Sequence, residues 1–308
     1  MAEISAQMVK ELREKTGAGM MDCKKALTES AGDFVKAEEW LRKKGISKAA
    51  SKGARIAADG LVGVEVSNGG KLGVVVEVNS ETDFVARNDD FVKLVGGMLA
   101  HISRHAPTSL ENLLEQAWTD GKKVKEIITE KVATIGENIS VRRFERYQVQ
   151  GAGTLGSYLH ANKRIAALVE VSGSDNAEAQ NLARELSMQI AAASPRYVSR
   201  EQVPAELVEK EKEIYKAELA AAKKPEAIWD KILGGKLEKF YEQVCLVDQP
   251  WIKDEKGKMK VKDLIADVSK KAGAPLKIAR MARYEVGEGI EKKKDDLAAE
   301  VKKTLGQA

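Results

Sequence analysis

Three histidines, one acidic loop and a paired-glycine turn are the residues of this chain whose types could do chemistry. His101 and His105 stand four apart, so a helix would place both imidazoles on one face, the spacing at which two histidines can grip a metal. No Glu-x-x pattern accompanies them, and the spacing predicts a solvated helix end instead. Asp83 could serve as a general base, yet neither a nucleophile nor a second acid stands near it, and its neighbour Thr82 points to a local loop bond. Gly287-Glu288-Gly289 lacks the strand-turn-helix setting and third glycine of a dinucleotide site, and no Gly-x-x-x-x-Gly-Lys-Ser/Thr phosphate loop occurs. Cys23 and Cys245 form no ligand pair. With no catalytic residue, metal ligand or cofactor site assembled, the chain reads as one that acts by binding.

Its candidate contact groups are apolar. The run Val74 to Val78 reads as a buried strand, and it passes directly into Glu81, Thr82, Asp83, Phe84 and Val85, where an aromatic falls among residues that favour turns. The alternative is that Phe84 folds back into the core. Met20 and Met21, in the loop Gly17 to Asp22, are adaptable contact groups, or else plugs for a small bundle.

The elements that must hold these groups follow from periodicity. Residues 1 to about 50 predict three short helices: Ser5 is an N-cap, Gly17 and Gly19 break the first, and Asp33 caps the third. Val9, Leu12, Ala26, Leu27, Phe34, Ala37, Trp40 and Leu41 fall at helical spacing and form a minimal core. Residues 46 to 60, rich in Ala, Gly, Ser and Lys, read as a linker. From Gly60 the period becomes two, with Val62, Val64 and Val66, then the turn Asn68-Gly69-Gly70 and the strand 72–78, a strong hairpin signal. A helix carrying Phe91, Leu94, Val95, Met98, Leu99 and Ile102 follows.

Much of this unit recurs. Leu155, Gly156, Leu159, Ile165, Val169, Glu170 and Val171 match Val62, Gly63, Val66, Leu72, Val76, Glu77 and Val78 at a constant offset of 93, while Leu182, Leu186 and Ile190 match Leu94, Met98 and Ile102 at 88. The first copy therefore carries five extra residues between strand and helix, where Thr82, Asp83 and Phe84 sit, and loops on rigid scaffolds are where binding concentrates. An α+β class with a duplicated core of antiparallel strands is expected. Between the copies lie a helix ending at Gly136 and a strand, 139–149. Beyond the second copy, the narrow stripe Leu207, Val208, Ile214, Tyr215, Leu219, the break at Pro225, and Trp229, Ile232, Leu233, Leu237, Phe240, Tyr241 predict a protruding antiparallel helical hairpin. A helix at 261–271, a strand at 278–286 and a last helix with Leu297, Val301 and Leu305 complete the reading.

Composition excludes several classes. Fifty-one basic and 47 acidic side chains leave a net charge of +4. Lys and Glu are interleaved, which makes solvated helix faces rather than a nucleic-acid stripe. No apolar run approaches the roughly 18 residues of a spanning helix, and residues 1–12 resemble neither a signal nor a transit peptide. A cytoplasmic protein, with no membrane or direct nucleic-acid partner, is expected.

Thr16 to Leu27 (TGAGMMDCKKAL), Glu81 to Asn88 (ETDFVARN), Ile135 to Arg143 (IGENISVRR), Ser157 to His160 and Glu285 to Lys292 together resemble one family, elongation factor Ts, over essentially all of the chain. Ser80 stands where many members have Cys. The resemblance implies a guanine-nucleotide exchange factor for elongation factor Tu that binds the GDP-bound GTPase, dislodges Mg2+ and promotes GDP release, without being an enzyme or holding a cofactor. It implies five parts: a three-helix domain similar to ubiquitin-associated (UBA) domains with its linker at 1–54; core subdomains at 55–142 and at 143–198 with 245–283; a coiled-coil hairpin at 199–244; and a C-terminal helical module at 284–308. It also implies that Thr82, Asp83, Phe84 and Val85 reach the partner's nucleotide domain near the magnesium site, and that Met20, Met21 and His160 touch the partner. The second subdomain would hold the partner's third domain. Two other readings stand beside it: an adaptor or nascent-chain module built on residues 1–50, and RNA binding through the lysines, which would be steeply salt-dependent.

Overall fold

The computed structural model describes residues 4–291. The expected last helix, with Leu297, Val301 and Leu305, lies outside the described residues. In chain order the helices α1 (Ala6–Thr16), α2 (Met20–Glu29) and α3 (Phe34–Lys52) precede the strands β1 (Asp59–Ser67) and β2 (Leu72–Ser80). Next come α4 (Asp83–Ala86), α5 (Asp89–His105), α6 (Leu110–Glu115), α7 (Val124–Ile135), β3 (Ser140–Gln148), β4 (Gly153–Leu159), β5 (Ile165–Ser172) and α8 (Ala177–Ala193). The helices α9 (Ala205–Ala221), α10 (Trp229–Val244) and α11 (Val261–Ala272) and the strand β6 (Lys277–Glu285) follow.

The chain forms two compact units. One contains the residues up to Leu61, Val76–Phe144 and the segment from Glu285; the other contains Val62–Val75 and Glu145–Tyr284.

In the first unit, the Ser5 hydroxyl accepts Met8 N–H at 3.2 Å and the Asp33 carboxylate accepts Val35 N–H at 3.0 Å, so both expected caps are in place. Gly17 ends α1 in the left-handed region at φ 66°, which a side chain would resist. Val9, Leu12, Cys23, Ala26, Leu27 and Ala37 are buried together between the three helices.

The expected linker is corrected over its first half: α3 continues without interruption to Lys52. Ala and Lys are strong helix formers, and α3 packs against α7. A Cβ on Gly45 would stand 3.0 Å from the Ala133 methyl, so the two helices approach as closely as glycine permits. Lys52 Nζ donates to the Gly136 carbonyl at the end of α7.

The duplication is visible in the strand orders, β1-β2-β3 in one sheet and β4-β5-β6 in the other. The central strand of each is followed by a 17-residue helix, α5 or α8. β4 and β5 are antiparallel with Gly153 opposite Ser172 and Leu159 opposite Ala166. Corresponding positions on the central strands carry Glu77 and Glu170, both buried. Each is met by arginine from the third strand of its sheet: Arg142 and Arg143 at 3.0 and 2.6 Å from Glu77, Arg280 at 2.7 Å from Glu170. Buried carboxylates persist only with such partners.

In the second unit, α8 lies on the sheet through Leu182, Ala183, Leu186 and Ile190, which share a core with Val169, Val171, Leu246 and Trp251. A Cβ on Gly156 would come within 2.2 Å of the Ala183 carbonyl, so helix and strand meet backbone to side-chainless backbone there. α9 and α10 pair across the Pro225 break, burying Leu219 and Leu233. At their base Phe240 and Val244 pack on Val203 and Cys245, and Arg200 bridges Glu238 at 2.7 Å and Asp248 at 2.8 Å.

Candidate binding site

α4 is one helical turn of four residues set between β2 and α5, where the first copy carries its five extra residues. Val85 and Ala86 face inward and are buried, whereas Phe84 is 77 % exposed. The turn therefore shows the aromatic outward and anchors itself through its smaller neighbours. Its single turn cannot hold its own shape, because nucleating one turn of helix is unfavourable; bonds from outside hold it.

Those bonds come from the turn after α7. Gly136 closes that helix at φ 93°, and Glu137 then grips Thr82 twice: its carboxylate accepts the Thr82 hydroxyl at 2.6 Å and the Thr82 N–H at 3.0 Å. Asn138 N–H donates to Glu81 at 2.6 Å, and its side-chain amide donates to the Arg55 carbonyl at 2.7 Å. Arg55 in turn reaches Glu81 at 3.4 Å. Ser80 Oγ donates to the Thr82 carbonyl at 2.9 Å. Asp83 is paired with Arg87 at 2.7 Å, an exposed pair one helical turn apart. The local loop bond expected of Asp83 is the one to Arg87, four residues on, whereas Thr82 is held from the turn after α7.

Met20 and Met21 open the first turn of α2 rather than the preceding loop, and are 57 % and 74 % exposed. They do not plug the bundle. Beneath them Asp22 is bound by Lys44 at 2.6 Å and by Lys48 at 2.5 Å, and these bonds hold its carboxyl below the usual aspartate range. His160, in the second unit, is exposed where β4 turns towards β5; its N–H donates to the Ile165 carbonyl at 2.9 Å. The structure thus gathers Thr82, Asp83, Phe84 and Val85 on one turn. Met20 and Met21 lie on another element of the same unit, and His160 in the other unit.

His101 departs from expectation. It is buried rather than solvated, stacked between His105 and Trp118 at ring distances of 4.4 and 5.1 Å, with Gln116 Oε1 at 3.0 Å. Burial lowers its pKa against the opposing effect of Gln116. The imidazole is a core group of the α5–α6 region. Among the described residues, no group of three or more His, Cys, Asp or Glu is placed to hold a metal ion, and no helix is long and apolar enough to cross a membrane.

An aromatic displayed on a braced turn, and an exposed methionine pair on another helix of the same unit, mark an α+β protein of the class that presents apolar groups as candidate contacts. Comparison with known proteins gives that class a family. The profile described as Elongation factor TS matches residues 81–288. Similar full-length relatives, each named Elongation factor Ts, are 47 % identical over 312 residues in Symbiobacterium thermophilum and 47 % identical over 317 residues in a Nostoc species, each alignment spanning 99 % of both chains. A Clostridium perfringens relative of the same name is 46 % identical over 305 residues, spanning 99 % of this chain and all of its own. The chain belongs to the elongation factor Ts family, and so to the translation elongation factors.

Proposed function

We propose that this chain is the guanine-nucleotide exchange factor of elongation factor Tu. The observation that carries the reading is Phe84, three-quarters exposed on a turn fixed by Glu137 and Glu81. A large apolar side chain held open to water at a fixed position is a group prepared for insertion into a partner. On this reading Phe84 enters the partner's nucleotide domain near its magnesium site. The three-helix domain with Met20 and Met21, the first core subdomain and the C-terminal module grip that domain. The second subdomain, with His160, holds the partner's third domain. The three-helix domain is of the UBA-like kind, the α9–α10 pair is a coiled-coil hairpin, and the protein works in the cytoplasm.

The mechanism is linkage. GDP is held largely by backbone donors around its phosphates and by magnesium bridging to them. A factor that stabilises a partner shape incompatible with those contacts weakens nucleotide affinity by the same ratio as nucleotide weakens its own. The chain forms and breaks no covalent bond; it supplies binding energy to one conformation of the GTPase. The test is the release of labelled GDP from elongation factor Tu with and without this chain. Release accelerated at substoichiometric amounts supports exchange. An unchanged rate, or binding to RNA with steep salt dependence in its place, would reject it.

A further inference from the structure

We infer that Glu137 is the positioning residue for Phe84: it sets the direction in which the displayed turn points, an inference that rests on the exchange-factor reading of Phe84. The argument begins with what α4 lacks. Thr82 is its N-cap, yet the hydroxyl caps nothing within the helix. An N-cap threonine ordinarily accepts from the second or third helical N–H. Here the hydroxyl is turned outward and donates to Glu137 Oε1 at 2.6 Å, while Thr82 N–H donates to Oε2 at 3.0 Å. Two bonds to one carboxylate fix both position and orientation, as a single bond could not. The ionic contact within the turn, Arg87 with Asp83, is solvent-exposed and contributes little.

Glu137 is itself held. It follows Gly136, whose carbonyl receives Lys52 Nζ, and precedes Asn138, which donates to Glu81 and to the Arg55 carbonyl. The three residues 136–138 therefore gather the end of α3, the end of α7 and the connection from β2 into α4. α3 is also part of the bundle on which Met20 and Met21 are displayed. One short turn ties Phe84 to the bundle that displays Met20 and Met21, so a partner meets these exposed apolar groups at a fixed separation.

The experiment uses Glu137→Ala, Glu137→Gln and Thr82→Val in the full chain, each also combined with Phe84→Ala. Amide hydrogen exchange is measured on the free protein, and stimulated GDP release from elongation factor Tu is measured as a function of factor concentration. Glu137→Ala should speed exchange at residues 82–87 by at least about tenfold while the α8 amides stay protected. It should lower the maximal release rate by on the order of tenfold and shift the half-saturating concentration far less, because the wider interface is intact. Glu137→Gln keeps one acceptor and should fall between. In the Phe84→Ala background the same change should cost little more, since it acts through that side chain. Unchanged hydrogen exchange at residues 82–87, or an equal loss with and without Phe84, would overturn the inference. If Glu137→Ala fails to fold, Glu137→Gln and Thr82→Val carry the same readouts. If the unaltered chain releases no GDP, the exchange-factor reading fails, and hydrogen exchange alone still decides whether Glu137 holds the turn.

Discussion

Replacing Phe84 by alanine separates the two uses a phenylalanine can have. Full burial of the side chain is worth roughly 1.5–3 kcal/mol. With 77 % of the residue exposed in the free protein, only about a quarter of that has been gained on folding. Phe84→Ala should therefore lower stability by less than about 1 kcal/mol. The remaining three-quarters, about 1–2.3 kcal/mol, is available only inside a partner, and corresponds to roughly a five- to fiftyfold loss of stimulated GDP release. The assay is the factor-dependent release of labelled GDP from elongation factor Tu, read beside a thermal melt of the variant. Asp83→Asn, which keeps the shape and removes a charge already paired with Arg87, should cost less. The difference should persist at high salt, because a buried apolar contact is not screened. Normal release by a folded Phe84→Ala protein, or its global unfolding, would return Phe84 to a core role. A larger loss from Asp83→Asn that closes with added salt would mean the turn works by charge.

Glu77 has no exposed surface and is bound by Arg142, Arg143, Asn79 and Gly287 N–H. Burial alone would raise its pKa; the Gly287 N–H, Arg143, Asn79 and Arg142 outweigh that and hold it below the ordinary 4.5. Its stabilising contribution is then complete above about pH 4.5 and is lost as pH falls further. Glu77→Gln should cost about 3–5 kcal/mol at neutral pH and flatten the acid limb of a urea-midpoint profile; an unchanged limb would assign that limb to other groups. Deleting residues 1–54 should weaken partner binding and also lower the melting temperature of what remains, because α3 lies along α7; an unchanged melt would make the bundle independent. Replacing residues 205–243 with a short Gly-Ser turn should leave one cooperative transition at a lower midpoint, since only the base of the hairpin, through Phe240 and Arg200, joins the surrounding core. Loss of cooperativity would make the hairpin part of that core.

What was legible in the sequence was set by local chemistry. Asp33 and Ser5 cap because their side chains reach a backbone N–H two or three residues away, and Phe84 is conspicuous because two copies of one unit can be laid side by side. Each signal lies within a few residues or within an internal repeat. What escaped depended on distant partners. The grip on Thr82 comes from a glutamate 55 positions on, and an acid after a helix-ending glycine carries no local sign of it. His101 reads as solvated in sequence because its cover, Gln116 and Trp118, arrives from the segment after α6. The α3 extension reads as a linker in sequence because its Ala, Ser and Lys residues carry no apolar stripe to count.

The bond between Glu77 and Gly287 N–H spans 210 residues, and this sets a timetable for synthesis. At about 5–20 residues per second, Gly287 leaves the ribosome roughly 10–40 s after Glu77, whereas hairpins and helices form in microseconds. The β1–β2 hairpin thus waits with a carboxylate whose last donor has not been made, while the second unit, encoded almost wholly between, can already close. The first unit is finished last although its chain begins first. A chain that ends before Gly287 lacks one of the donors to the buried carboxylate on its central strand.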